Sequence, residues 1–133
     1  MKNFVLIYLA TAFGFFLLDM VWLGFLAKNF YREKLGFIFT GEVDWKAAVL
    51  FYVIYFAGLV YFGILPAIKD GSWSTALLNS LLYGVFCYAT YELTNKSIIA
   101  QWPWSVVVAD IIWGAIVTSF GGLIGFWASK FLS

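Results

Sequence analysis

The sequence of 133 residues contains no histidine and a single cysteine, Cys87. Without histidine the chain lacks the most common metal ligand and the most common general base at neutral pH. A lone cysteine excludes an internal disulfide, a cysteine metal cluster and a CxxC redox pair. We therefore expect no metal and no cofactor, and any chemistry must depend on the remaining polar side chains.

Charged residues are scarce, at 11% of the chain, with eight basic and seven acidic side chains and a net charge of +1. Soluble domains carry roughly a quarter charged residues. No basic block is present that could neutralise a phosphate backbone, so we expect no nucleic-acid partner. Apolar residues make up 64% of the chain instead, more than a protein of this size can bury. Membrane lipid is the predicted partner of that surface.

Four long apolar runs occupy about residues 4–27, 47–68, 75–93 and 103–128. Each has about 20 residues or more, which is the length that a hydrocarbon core of about 30 Å requires of a helix. None alternates as a barrel strand would. The sequence therefore predicts an all-α integral membrane protein, a four-transmembrane-helix bundle in which residues 1–133 form a single domain. Thr94-Asn95-Lys96 is predicted to end the third helix, and Pro103 to begin the fourth.

The first connection, residues 28–46, is the only long one, and it mixes aromatic with basic residues. This pattern is typical of a segment that lies in the membrane interface, partly as helix. Five basic residues fall on the side of the first and third connections, and three on the side of the termini. The positive-inside rule then predicts cytoplasmic connections and periplasmic termini.

Tryptophans lie at the predicted helix ends: Trp45, Trp73, Trp102, Trp104 and Trp127. Indole rings favour the headgroup level of a membrane, with the apolar body directed inward and the N–H directed toward water. Their positions agree with the helix ends that hydropathy predicts.

Small residues recur at helical spacing on two predicted helices: Ser80 and Gly84 on the third, and Gly114, Thr118, Gly121 and Gly125 on the fourth. Such faces let helix backbones approach closely in lipid. The partner of these faces is either another helix of the same chain or a second copy in a homodimer.

Three acidic residues lie within the apolar runs, Asp19, Glu92 and Asp110. At about 1.5 Å per residue, Asp19 lies roughly 12 Å and Asp110 roughly 10 Å below the surface that carries the first and third connections. Glu92 lies close to the same surface, so all three are predicted in one leaflet. A charged group against lipid costs roughly 2.5–3.5 kcal/mol or more, so the acids should face the bundle interior.

Each acid has aromatic neighbours at helical spacing. Asp19 precedes Trp22, and Asp110 precedes Trp113, by three positions, which puts each acid and its indole on one helix face. The two helices run in opposite directions, so the shared spacing hints at an inverted repeat. On the third helix a polar stripe is formed by Tyr88, Tyr91, Glu92 and Asn95.

These patterns predict one shared pocket. Its predicted lining residues are Asp19, Trp22, Tyr88, Tyr91, Glu92, Asp110 and Trp113. Residues predicted at its rim are Lys28, Tyr31, Arg32 and Asn95. The alternative is that each acid only hydrogen-bonds a tyrosine or tryptophan and stabilises helix packing.

Three segments resemble one family: LDMVWLGFLAKNFYREKLG (18–36), YATYELTN (88–95), and Trp102-Pro103 followed by DIIWG (110–114). They are similar to segments of the small bacterial membrane proteins known as domain-of-unknown-function family 2177. The resemblance implies a four-helix protein of the bacterial inner membrane, and it implies no particular activity. The positions that carry it are Asp19, Trp22, Tyr31, Arg32, Tyr91, Glu92, Asn95, Pro103, Asp110 and Trp113.

Three functions suit a pocket of acids and aromatic rings. The first is transport or carriage of a lipophilic or cationic small molecule, which carboxylates and ring faces attract, although acids in one leaflet differ from a midplane transporter site. The second is a membrane enzyme that uses paired carboxylates for acid–base chemistry on a lipid or isoprenoid. The third is an accessory or lipid-binding membrane protein. The sequence does not choose among them.

Overall fold

The computed structural model describes residues 2–38 and 41–132, and within those ranges the regular structure is entirely helical. Residues 1, 39, 40 and 133, which belong to the predicted domain and in part to its first connection, lie outside the described residues. The helices are α1 (Lys2–Val21), α2 (Lys28–Leu35), α3 (Trp45–Gly58), α4 (Leu65–Asp70), α5 (Trp73–Ile98) and α6 (Trp104–Leu132). Two π-helical segments continue α1 and α3, at Trp22–Leu26 and Leu59–Ile64.

Among the described residues, three continuous helices are long and apolar enough to cross a membrane: Asn3–Leu26, Trp45–Asp70 and Trp104–Leu132. Helix α5 has 26 residues, as many as the second of these, but its polar residues keep it outside that set. The all-helical, membrane-compatible architecture is therefore observed, and four crossings remain a prediction.

Several helix ends differ from those predicted. Thr94-Asn95-Lys96 does not end the third helix, because the backbone continues to Ile98 and the N–H of Ile99 still donates to the carbonyl of Asn95 at 2.8 Å. Hydropathy marks the edge of the lipid, whereas backbone hydrogen bonds decide where a helix ends. The fourth helix begins at Trp104, one residue after Pro103, and continues beyond position 128 to Leu132.

Short polar residues fix the turns between the long helices. The Asp44 carboxylate caps α3 by accepting hydrogen bonds from the N–H groups of Lys46 and Ala47 at 3.1 and 3.2 Å. Gly71 has a φ of +67° and ends α4 in the left-handed region, where glycine is favoured. Ser72 then caps α5, its hydroxyl accepting from the N–H of Thr75 at 3.3 Å.

Helix α6 lies at the centre of the bundle, where it packs along both α5 and α1. The small-residue faces are buried in these contacts, since Gly84 of α5 lies against Gly114 and Thr118 of α6. A Cβ at Gly84 would lie 2.7 Å from the carbonyl oxygen of Gly114, which explains why glycine is required there. Helices of the same chain therefore contact these faces, which is one of the two partners that the sequence left open, and a homodimer stays a prediction.

The first connection contains a helix, α2, that lies over one end of the bundle. Its Leu35 is buried and belongs to a cluster with Trp102, Val106 and Val107. This packing fixes α2 against the start of α6. On the outside of the bundle large apolar side chains are exposed, as Phe13 and Ile54 show at 67% and 62% exposure. Such a surface is suited to lipid rather than to water.

Candidate functional site

A cavity of about 580 Å³ lies between α1, α3, α5 and α6. Twelve residues line it: Phe15, Asp19, Trp22, Leu23, Phe51, Tyr52, Tyr55, Cys87, Tyr88, Tyr91, Asp110 and Trp113. Six of the seven predicted pocket residues are in this set, and Glu92 is not. None of the twelve is basic, so the two carboxyl groups have no cationic partner in the lining.

Asp19 is buried, at 5% exposure, on the last α-helical turn of α1. Its Oδ1 accepts a hydrogen bond from the indole Nε1 of Trp113 at 3.0 Å, and its Oδ2 accepts a long one from the Tyr52 hydroxyl at 3.5 Å. Both carboxylate oxygens therefore face donors from other helices. This arrangement holds the carboxylate toward the cavity and away from lipid.

Asp110 is contacted by a residue predicted only for the rim. The Tyr31 hydroxyl on α2 donates to Oδ1 of Asp110 at 2.9 Å and accepts from the Nε1 of Trp22 at 3.2 Å. Burial, and then the negative charge of Asp110, raise the pKa of Tyr31 well above its usual value. The phenol therefore keeps its proton and remains a donor to Asp110.

The two indoles stack in the cavity wall. The ring centroids of Trp22 and Trp113 lie 4.7 Å apart with an angle of 8° between the planes. Each indole is linked to the acid of the opposite helix. Trp113 of α6 donates to Asp19 of α1, and Trp22 of the segment after α1 donates to Tyr31, which in turn donates to Asp110 of α6. The two Asp-x-x-Trp segments thus meet face to face in an antiparallel pair, as an inverted arrangement would place them.

Glu92 is buried and is not among the residues that line the cavity. It is 1% exposed, and its Oε1 accepts from the Nε1 of Trp102 at 2.8 Å.

Trp102 does not lie at the headgroup level with its N–H toward water, as its position at a helix end had suggested. It is 2% exposed and its N–H is directed at Glu92. A buried acid needs a donor in the protein, since neither lipid nor water reaches it. The indole of Trp102 therefore serves as a hydrogen-bond donor to Glu92 inside the bundle.

The basic rim residues do not reach the acids. Lys28 and Arg32 are exposed on α2, and neither forms an ion pair with a carboxylate in the described part of the chain. Asn95 is not in the lining of the cavity and instead borders a neighbouring surface groove together with Tyr91. Across the same residues, no three His, Cys, Asp or Glu side chains are arranged to hold a metal ion.

The sequence prediction missed the contribution of α3. Tyr52 and Tyr55 extend from this helix into the cavity, and the Tyr55 hydroxyl bonds to the Thr118 hydroxyl at 2.6 Å. The signal was two tyrosines three positions apart in an otherwise apolar run, which puts both hydroxyls on one face. Because α3 carries no acid within its apolar run, the sequence gives no reason to place these two tyrosines in the pocket.

The mouth of the cavity lies on the outer surface of the bundle. Among the lining residues, Leu23, Phe51 and Tyr91 are the exposed ones, at 43%, 55% and 55%. They come from the π segment after α1, from α3 and from α5. A molecule dissolved in the surrounding lipid would meet these side chains first.

Comparison with known proteins places most of the chain in one family model. Residues 4–127 match the family model described as "Predicted membrane protein (DUF2177)". No curated protein and no solved structure matches the chain significantly. The matched range includes the three acids, both Asp-x-x-Trp segments and Tyr31, so the family resemblance of the sequence motifs is confirmed. The chain belongs to the DUF2177 family of predicted membrane proteins.

Proposed function

We propose that this protein binds a lipophilic organic cation in the cavity and carries it in the membrane. The observation that supports this proposal is a cavity of about 580 Å³ with two carboxyl groups, eight aromatic side chains and no basic side chain in its lining. Its volume is within the range of about 300–1,000 Å³ that is usual for small-molecule sites.

The composition of the lining favours a cation. Asp19 and Asp110 supply negative charge, and the side chains of Trp22, Trp113 and Tyr88 line the same space. Aromatic faces attract organic cations by about 0.5–2 kcal/mol each, most strongly when water is excluded. An anionic ligand would have to enter beside two acids without a compensating lysine or arginine.

The position of the mouth favours a lipophilic ligand. Leu23 and Phe51, two of its exposed residues, lie in helices that are apolar enough to span a membrane. The entrance is then reached from the acyl chains. The π segments at Trp22–Leu26 and Leu59–Ile64 are places where a helix can change register as the ligand passes.

This proposal places four helices across the bacterial inner membrane. Helix α5 has 26 residues, which correspond to about 39 Å of helix, and it packs along α6. Four crossings put both termini on one side, which the distribution of basic residues assigns to the periplasm. The cavity then lies in the cytoplasmic leaflet, below α2.

The test is binding of tetraphenylphosphonium to the purified protein in detergent, measured by calorimetry, with triphenylphosphine oxide as an uncharged aryl control. We expect the cation alone to bind. Asp19→Asn should weaken binding by at least about tenfold, since a charge pair at about 4 Å is worth up to about 4 kcal/mol at an intermediate dielectric. Glu42→Gln, at an exposed loop position, should leave the affinity unchanged. Equal binding of both ligands, or no binding of either, would refute the proposal.

The surroundings of two acids, Glu92 and Asp110, favour a second function, that of a membrane enzyme acting on a lipid or isoprenoid. Glu92 is enclosed while Asp110 lines the cavity, so the two acids have different environments, as an acid and a base require. Incubation of the protein with membrane lipid extract, followed by mass spectrometry, separates the candidates. New products indicate an enzyme, whereas a lipid retained unchanged indicates the third function, lipid binding.

A further inference from the structure

The cavity has its acids inside and no charged side chain at its mouth. Asp19 is buried and Asp110 is partly buried, whereas Leu23, Phe51 and Tyr91 at the mouth are exposed. A bound cation is therefore held with its charge in the interior and its apolar part at the mouth, where the lipid begins.

The distance from Asp19 to the mouth is short. Leu23 follows Asp19 by four positions, and residues at this spacing are neighbours on a helix surface, with Cβ atoms about 5–6 Å apart. On α3, Tyr52 donates to Asp19 at 3.5 Å and is adjacent in sequence to the mouth residue Phe51. A long chain attached to a cationic head at Asp19 must therefore leave the cavity through the mouth.

A groove on the outer face of α5 adjoins the mouth. Its volume is about 520 Å³, and its lining residues are Phe86, Cys87, Thr90, Tyr91, Thr94 and Asn95. Cys87 and Tyr91 also line the cavity, so the two spaces are neighbours. Phe86 is 65% exposed, and the hydroxyl of Thr90 donates to the Phe86 carbonyl at 2.6 Å, within the helix. None of the six residues is charged, and the groove is suited to a hydrocarbon chain.

The lining of the cavity does not suit a phosphate. None of its twelve residues is a lysine or an arginine, and Lys28 and Arg32 are exposed on α2. The headgroup of a zwitterionic phospholipid would bring a phosphate close to Asp19 and Asp110, where like charges repel and no cationic side chain compensates. An amine or quaternary ammonium group without a phosphate avoids this repulsion.

We infer that the cation bound in the cavity is an amphiphile, with a hydrocarbon chain and an amine or quaternary ammonium head that carries no phosphate. Its head lies beside Asp19 and Asp110, and its chain leaves through the mouth and lies in the groove of α5. This inference rests on the proposed function, because it names the class of cation that the cavity holds.

The first experiment tests the head. Calorimetry of the purified protein in an uncharged maltoside detergent compares hexadecyltrimethylammonium with hexadecylphosphocholine, which has the same chain and the same trimethylammonium group but adds a phosphate. We expect the phosphocholine to bind at least about tenfold more weakly, because its phosphate would lie beside two acids without a cationic partner. Asp19→Asn should remove most of this difference by weakening the binding of hexadecyltrimethylammonium, and Glu42→Gln, the exposed control, should leave it unchanged.

The second experiment locates the chain in the wild-type protein. Hexadecyltrimethylammonium with a diazirine in the middle of its chain is bound and irradiated, and the labelled residues are identified by mass spectrometry. We expect labels on α5 between Phe86 and Asn95, the residues that line the groove. An excess of tetraphenylphosphonium should remove them, because it competes for the same acids. Hexadecylphosphocholine with the same diazirine is the matched control, and its labels should not change when tetraphenylphosphonium is added.

The outcomes distinguish the two proposals. A protein that binds tetraphenylphosphonium but binds hexadecyltrimethylammonium no better than the phosphocholine overturns the amphiphile and leaves the binding function in place. Labels that lie outside the groove of α5, or that persist in excess tetraphenylphosphonium, also overturn the amphiphile. Failure of the wild type to bind tetraphenylphosphonium overturns the proposed function itself.

Discussion

Substitution of Gly84 by alanine tests the close approach of α5 and α6 that positions the acids. An added Cβ would lie 2.7 Å from the carbonyl oxygen of Gly114 and 2.7 Å from the Cβ of Thr118. Ordinary contacts begin near 3.4 Å, so each distance is about 0.7 Å too short. One of these contacts is with backbone, which cannot rotate away as a side chain can. The two helices must therefore move apart.

The expected cost follows from two opposing terms. Overpacking of a tight interface costs about 1–3 kcal/mol, and replacement of a helical glycine by alanine returns up to about 1 kcal/mol. We expect the free energy of unfolding of Gly84→Ala to fall by about 1–2 kcal/mol. Titration of the protein in mixed micelles with sodium dodecyl sulfate, followed by circular dichroism, measures this change.

Gly24→Ala is the matched control. Its added Cβ would meet nothing within 4 Å, so it should be neutral or slightly stabilising. The substitution at position 84 should also weaken cation binding, because α6 carries Asp110 and would shift relative to Tyr88 on α5, which lines the same cavity. A Gly84→Ala protein as stable as Gly24→Ala would refute the helix spacing on which the site depends.

Single polar groups of the bundle offer further tests. Ser80→Ala should raise the free energy of unfolding by about 0.5–2 kcal/mol, because the hydroxyl of Ser80 is buried with no hydrogen-bond partner in the described structure. Trp102→Phe should lower it by about 1–3 kcal/mol, since Glu92 loses its N–H donor. Tyr31→Phe should lower it by a similar amount through loss of the bond to Asp110. The same detergent titration measures all three. A C-terminal alkaline phosphatase fusion should be active if the termini are periplasmic.

Exposed aromatic residues supply the controls for these variants. Trp104→Phe and Tyr61→Phe alter the same residue types at positions that are 60% and 65% exposed. Neither should change the free energy of unfolding by more than about 0.5 kcal/mol. If Trp102→Phe and Tyr31→Phe match these controls, the buried hydrogen bonds to Glu92 and Asp110 do not contribute as described. A fusion that is inactive while expressed would reverse the proposed orientation and place the cavity in the outer leaflet.

The placement of the acids was largely predictable from the sequence. Charged groups in lipid are costly, so Asp19 and Asp110 had to face inward, and the helical period required Trp22 and Trp113 to follow them. The structure brings these four residues to one cavity. The role of α3 was not predictable, because Tyr52 and Tyr55 look like ordinary members of an apolar run until a neighbouring helix brings Asp19 and Thr118 to their hydroxyls.

The sequence by itself determined that the chain is helical and suited to a membrane, and that its acids belong to one end of the bundle. These properties depend on residue type and on local spacing, and both are fixed before the chain folds. Only the tertiary structure decided which side chains form hydrogen bonds with each other across the helices. In the folded protein Glu92 accepts a hydrogen bond from Trp102 outside the cavity lining, and Tyr31 donates one to Asp110. Such pairings depend on how the helices rotate and cross, and packing between residues distant in sequence determines those angles.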